Sequence, residues 1–222
     1  AAGRDATIHA VSTDRVVRRL LDGRATDHEA EVMTYVRTAG YPVPRVHRVG
    51  RGELELDRID GPTMLADLLN HPWRLVRHAC LLAALHHRLH HIPAPPGLRD
   101  GPVPGSAVVH LDLHPGNVIL GPRGPVVIDW PHAAGGSPAS DVALTWTSLG
   151  CFDHDATGLM GALATRFRVV FLDCFLAAAG RNEARLLLPA MVAYRLDHPQ
   201  RSRSVRTAER ASLQRLVKAS RR

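Results

Sequence analysis

Between Val108 and Trp130 the chain reads VVHLDLHPGNVILGPRGPVVIDW, and its polar residues are spaced for chemistry. His110 and Asp112 are separated by one residue, Asn117 follows past a Pro115-Gly116 pair, and Asp129 comes near the end. The Pro-Gly pair forces a tight, non-helical path between Asp112 and Asn117. The β-branched runs on either side of GPRG predict an antiparallel hairpin, with strands near 118–120 and 126–129. Asn117 then begins one strand, Asp129 ends its partner, and the two meet side by side. An amide oxygen beside a carboxylate is a hard-oxygen site of the kind magnesium takes while sharing phosphate oxygens. Asp112, at the loop apex, is placed to accept a proton from an attacking hydroxyl. Positioning, charge neutralisation and an oriented nucleophile are what phosphoryl transfer needs. The plainer reading makes Asp112 and Asn117 turn residues and His110 a hydrogen-bonded loop residue.

The elements that must hold this stretch follow from periodicity. Residues 7–11 (TIHAV) and 15–20 (RVVRRL) predict two strands joined by the turn STD. GRATDHEAEVMTYVRTAG predicts a helix with Thr26 or Asp27 as N-cap, acids in the first turn and Gly40 as its stop. YPVPRVHRVG is extended and punctuated by Pro. RGELELDRI alternates, with Leu54 and Leu56 on one side, and DGP at 60–62 breaks the chain. A short helix over 63–70 and a long one over 73–92 come next. A Pro/Gly linker (93–106) leads to a strand near 107–110. Helices are expected over 141–150, 158–179 and 183–196, with another from near 207. The expected fold class is α+β, with a β-rich N-terminal part (1–60), a mainly helical C-terminal part (61–222) and a ligand cleft between them by default.

Composition narrows the function classes. The chain has 222 residues, 45% apolar and 22% charged, ordinary for a soluble domain. No apolar run reaches membrane-spanning length, and the first residues lack a signal-peptide layout, so a cytoplasmic protein without membrane partners is expected. The net charge of +7 comes almost wholly from Arg, Lys218 being the sole Lys. The Arg clusters carry no interleaved aromatics, so nucleic acid is a third-ranked partner behind a solvated basic surface with some Arg facing a phosphate ligand. Cys80, Cys151 and Cys174 form no CxxC pair and are read as small core residues. His86 and His90 sit at i, i+4, but no Glu lies between them as in a metalloprotease helix, so structural or surface roles are expected. Trp73, Trp130 and Trp146 are read as packing residues.

HLDLHPGN followed by VIDW resembles the catalytic loop and metal-binding Asp of the protein-kinase-like fold. Its form is most similar to the aminoglycoside phosphotransferase and choline-kinase-like group of small-molecule kinases, over roughly residues 15–196. DVALTW (141–146) resembles the helix start that follows the metal Asp in that group. The resemblance implies Mg2+ and ATP as cofactors, with Asp112 as the catalytic base and Asn117 and Asp129 as metal ligands. It also implies His110 as a scaffold residue and Asp141 as a partner of backbone near the loop. His114 is a further loop candidate. HEAEVM is similar to the N-lobe helix whose Glu pairs with a phosphate-binding Lys, which aligns Glu29. ELELDRIDG is similar to the strand and hinge that hold adenine, which implies main-chain contacts from Asp57 and Ile59.

The chain departs from that pattern. No Lys exists before Lys218, and alternation on RVVRRL puts Arg18 in the Lys slot. Arg grips phosphate with a fork rather than a point charge. Residues 1–14 hold a single Gly, Gly3, where a Gly-rich loop is expected. The linker before the catalytic loop is too short for the helical insertion of aminoglycoside enzymes. From residue 142 onward Asp153, Asp155, Asp173, Glu183, Asp197 and Glu209 face many Arg, which argues for a neutral or anionic hydroxyl substrate over a polycation. The resemblance thus implies an ATP-dependent phosphotransferase acting on a small-molecule hydroxyl. The alternative is a catalytically weak pseudokinase serving as a nucleotide- or partner-binding module.

Overall fold

Alternation in RVVRRL and ELELD sets the register of the first sheet. The computed structural model describes residues 6–21, 23, 26–150, 158–197 and 213–218. Strands β1 (Ala6–Ala10), β2 (Arg15–Leu20), β3 (Val46–Gly50) and β4 (Glu53–Asp57) form an antiparallel sheet ordered β1-β2-β4-β3. Val16 pairs with Leu56 and Arg18 with Leu54. Arg18 therefore shares the face that buries both leucines, since directly paired residues point the same way. Helix α1 (Asp27–Thr38) buries Ala30, Val32, Met33 and Val36, and Glu29 with them. Thr26 is its N-cap residue but does not cap through its side chain. Its hydroxyl reaches the Gly50 and Glu53 carbonyls instead, at 3.0 and 3.2 Å. The helix stops where expected, before Gly40 at φ 79°, a left-handed position that glycine takes without steric cost.

Helix α2 (Met64–Asn70), a 3-10 turn (Pro72–Arg74) and helix α3 (Leu75–His90) follow. Strand β5 (Ala107–Val109) pairs with β8 (Ala134–Gly136), and β6 (Val118–Gly121) pairs with β7 (Gly124–Val127). Helices α4 (Pro138–Gly150), α5 (Gly158–Ala179) and α6 (Arg181–Asp197) complete the labelled elements. Residues 213–218 are helical. The stretch near 207, where a helix was expected to begin, lies outside the described residues, as do Cys151, Asp153, Asp155 and Glu209.

By internal contacts the chain divides into two compact units, residues 1–67 with 115–133 and residues 68–114 with 134–222. Where the sequence suggests one boundary near 60, the chain passes between units three times. The β6–β7 hairpin groups with the first sheet through local bonds. Leu120 N donates to Pro62 O (2.9 Å), Val127 N donates to Pro42 O (2.8 Å), and Thr63 bridges Ile119. Gly61 is required there, since a Cβ would sit 2.2 Å from the Leu120 carbonyl oxygen.

In the second unit α3 packs on α5, and α4 on α6. The 93–106 segment is pinned rather than loose: Gly101 N donates to Gly135 O (2.7 Å) and Ser137 N to Val103 O (3.0 Å). Two expectations about single residues fail. Cys80 is exposed and Cys174 only half-buried, because the buried stripe of α3 runs through His78, Ala79, Leu82 and Ala83 instead. Trp73 is 75% exposed, whereas Trp130 and Trp146 are buried. Among the described residues no helix is long and apolar enough to cross a membrane.

Candidate active site

In the first unit, Arg18 lies between two carboxylates. Its Nη2 donates to Glu29 Oε2 and its Nη1 to Asp129 Oδ1, the latter at 2.9 Å. Glu29 Oε1 accepts the Trp130 backbone N–H at 3.0 Å. One glutamate thus ties the β2 arginine to the residue after Asp129. Burial pushes the Glu29 carboxyl up; Arg18 pulls it down and the Asp129 charge pushes it up again. Asp129 itself is left-handed, at φ 69°, a conformation Asp tolerates better than most residues. It lies two residues past β7 rather than at the strand's end. Its side chain is 44% exposed, so an oxygen remains open to a ligand. His28 Nε2 is 2.8 Å from Ala133 O and fixes the chain just beyond.

Asn117 closes a 3-10 turn (Pro115–Asn117) instead of opening the strand. Its carbonyl accepts the Ile128 N–H at 3.0 Å, which extends the β6–β7 pairing to the residue beside Asp129. An amide and a carboxylate at one hairpin end are donors a divalent cation accepts. In the proposed hinge, Asp57 Oδ1 meets His47 Nε2 at 2.7 Å, and its Oδ2 accepts Arg45 N at 3.2 Å. Burial opposes the Asp57 charge, but these two donors prevail and hold its carboxyl below the usual value. The Asp57 N–H is engaged by the Arg45 carbonyl at 3.0 Å. Ile59 is half-buried, its Cγ2 close against Gly121.

The second unit carries His110, Asp112 and His114 on the loop after β5, and Asp141 in the first turn of α4. Asp141 is fully buried. Its Oδ2 accepts His110 N at 3.0 Å and its Oδ1 accepts Leu111 N at 2.7 Å. His90 Nε2 lies 3.0 Å from Oδ2. Burial would raise this carboxyl, yet the His90 hydrogen bond and the imidazoles of His86, His90 and His110 hold it far below the usual range. Leu111 is left-handed at φ 63°, a strained conformation for Leu. The Asp141 clamp on its own amide and the preceding one fixes that strain, and it aims the next residue, Asp112. Asp112 is half-buried, and its N–H points at His110 Nδ1 at 3.3 Å.

The structure therefore gathers Arg18, Glu29, Asp129 and Asn117 in one unit, and His110, Asp112, His114 and Asp141 in the other. The chain steps between the units after His114. The sequence pointed to a structural or surface role for His90 but not to its partner Asp141, and it gave Thr145 no role. Thr145 Oγ1 donates to Leu113 O at 2.7 Å, on the same loop. The signal was present: His86 and His90 on α3 match Thr145 and Asp141 on α4, both pairs at i, i+4. Among the described residues no group of three His, Cys, Asp or Glu forms a metal cluster.

Residues 98–187 match the family model described as the phosphotransferase enzyme family. No curated protein matches the chain. Among solved structures, aminoglycoside phosphotransferase APH(4)-Ia shares 14% identity at a TM-score of 0.64, over 99% of this chain and 90% of that one. The streptomycin–ATP–APH(2'')-IIa ternary complex shares 14% at 0.61, over 98% and 89%. A choline/ethanolamine kinase family protein from Mesorhizobium loti shares 14% at 0.53, over 96% and 91%. At such identities the likeness establishes the fold: a kinase-like α+β chain with a small antiparallel sheet and a mainly helical remainder. The resemblance stated from the HLDLHPGN and VIDW motifs is borne out by these matches.

Proposed function

We propose that this chain, similar to the phosphotransferase enzyme family, moves the γ-phosphoryl group of ATP to a hydroxyl of a small molecule. Asp112 is the base that orients the hydroxyl. Asn117 and Asp129 would hold magnesium, which when bound supplies charge neutralisation for the phosphate oxygens. Arg18, fixed by Glu29, turns its guanidinium toward the phosphates. Asp57 and Ile59 line the adenine side, and His110, His114 and Asp141 support the loop. The observation that carries this reading is the Arg18 bridge between Glu29 and Asp129. It sets a fixed cation beside the proposed metal carboxylate although the chain has no Lys before Lys218. The scarcity of acids after residue 141 favours a neutral or anionic acceptor.

The same bridge supports a second reading. Arg18 occupies one oxygen of Asp129, and a pseudokinase that binds nucleotide without turnover needs nothing further. Thermal shift with Mg-ATP separates the readings. Stabilisation of the wild type that disappears in Asp129→Ala, with γ-phosphate transfer in a screen of hydroxyl compounds, supports the transferase. Asp112→Asn then lowers transfer by roughly 10²–10⁴-fold, the usual weight of a general base. Binding without transfer favours the pseudokinase. No stabilisation by ATP or GTP overturns both.

A further inference from the structure

Thr145 is a fully buried hydroxyl with more acceptors than protons. Leu113 O lies at 2.7 Å, Asp141 O at 3.2 Å and His86 Nε2 at 3.1 Å. A hydroxyl donates one proton. The opposite ring nitrogen, His86 Nδ1, is 2.9 Å from Leu82 O, and a carbonyl cannot donate, so a neutral His86 keeps its proton on Nδ1. Its Nε2 is then a bare lone pair aimed at Thr145.

We infer that His86 is a positioning residue for the loop that carries Asp112: in its neutral form it competes with the Leu113 carbonyl for the single proton of Thr145. When Nε2 wins, the Leu113–His114 peptide is held less firmly. When Nε2 is removed, or takes a proton from solvent and becomes a donor itself, only the two carbonyls compete for the Thr145 proton, and Leu113 O at 2.7 Å is favoured over Asp141 O at 3.2 Å. The loop therefore has one unconditional clamp, Asp141 on the His110 and Leu111 amides, and one conditional clamp, Thr145 on Leu113.

The surroundings keep the condition in place. Asp141 on α4 favours a charged His86, while His90 on α3 and His110 on the loop oppose it. From α5 it meets the Phe175 ring, 5.2 Å away. Burial dominates, and the imidazole is pushed down to about 4, which leaves it neutral near pH 7. The inference rests on the phosphotransferase reading only for what the loop does, so its test uses no nucleotide.

The test is NMR on the labelled full chain. The His86 ring nitrogens report the tautomer, and the Leu113 carbonyl shift and His114 amide exchange report the clamp. Expected at neutral pH is an Nδ1–H tautomer with bare Nε2. Thr145→Val speeds His114 exchange by about five- to tenfold, the worth of one hydrogen bond; Thr145→Ser restores it. His86→Leu, which frees the Thr145 proton, moves the Leu113 carbonyl shift the opposite way and slows exchange. A merely structural His86 would loosen the loop in both variants, and that outcome overturns the inference. An Nε2–H tautomer in the wild type also overturns it, and that measurement stands even if a variant does not fold. Loss of ATP binding would remove the phosphotransferase reading and leave these results unchanged.

Discussion

Asp141 and Glu29 are both buried, one in each compact unit, yet burial has opposite outcomes for them. For Glu29 burial wins, helped by the nearby Asp129 charge, and its carboxyl is pushed up despite Arg18. For Asp141 burial also pushes upward, but His90 and the surrounding imidazoles prevail, and its carboxyl is held down. The difference lies in the company each keeps. Asp141 faces two backbone amides and His90. Glu29 shares its one arginine with a competitor. The left-handed residues beside them differ in the same way. Leu111 is locked by the buried Asp141 carboxylate, which accepts its amide and the preceding one and is not open to exchange with solution. Asp129 is held by a cation, and a ligand can trade places with a cation. The loop in the second unit is thus built as a fixture, and the Asp129 contact in the first unit as an exchangeable one.

The comparison breaks most visibly at Asp141. Asp141→Ala leaves His90 and two buried amides without their acceptor and should cost about 3–5 kcal/mol in urea unfolding, as for other broken buried pairs. Acid comes next. His86 titrates lower in the fold, at about 4, than in the unfolded chain, near 6.5. As pH falls the unfolded state binds its proton first, so stability present above about pH 6.5 is lost progressively toward pH 4. His86→Leu should flatten that slope in denaturant titrations across this window. Arg18→Met comes third at about 2–3 kcal/mol, since it strands a buried carboxylate. Arg18→Lys should recover part of this loss, because an ammonium cannot fork to both acids. Glu29→Gln is the mildest, about 1 kcal/mol by thermal melting. Its sign is the reverse of that at His86: a raised carboxyl stabilises the fold when protonated, a contribution lost as pH rises, and the amide imitates the protonated form. A cost at Glu29→Gln as large as at Asp141→Ala would erase the distinction.

Helices and the HLDLHPGN motif were legible in the sequence because their signals are local. α1, α5 and α6 lie within a residue or two of where periodicity puts them. Residues whose conformation depends on distant partners were not. Asp129 looks like a strand end, yet Trp130 N is drawn to Glu29, and the chain turns left-handed two residues after β7. β8 reads AGG, with no β-branched residue to announce it. It is a strand because bare backbone fits there: a Cβ on Gly105 would lie 2.4 Å from Gly136. The same closeness turned the expected 93–106 linker into a pinned segment. The histidines of α3 were expected to be structural or at the surface, but their partners were not legible, because the α4 residues they face cannot be paired with them from spacing on one helix alone.

The discontinuous first unit has a consequence for synthesis. Residues 1–67 leave the ribosome well before residues 115–133, which complete that unit. At about 5–20 residues per second, Arg18 and Glu29 wait several seconds for the Trp130 amide and the Asp129 carboxylate. During that interval the Pro42 and Pro62 carbonyls lack the hairpin amides they accept, and a chaperone has its clearest opportunity to bind.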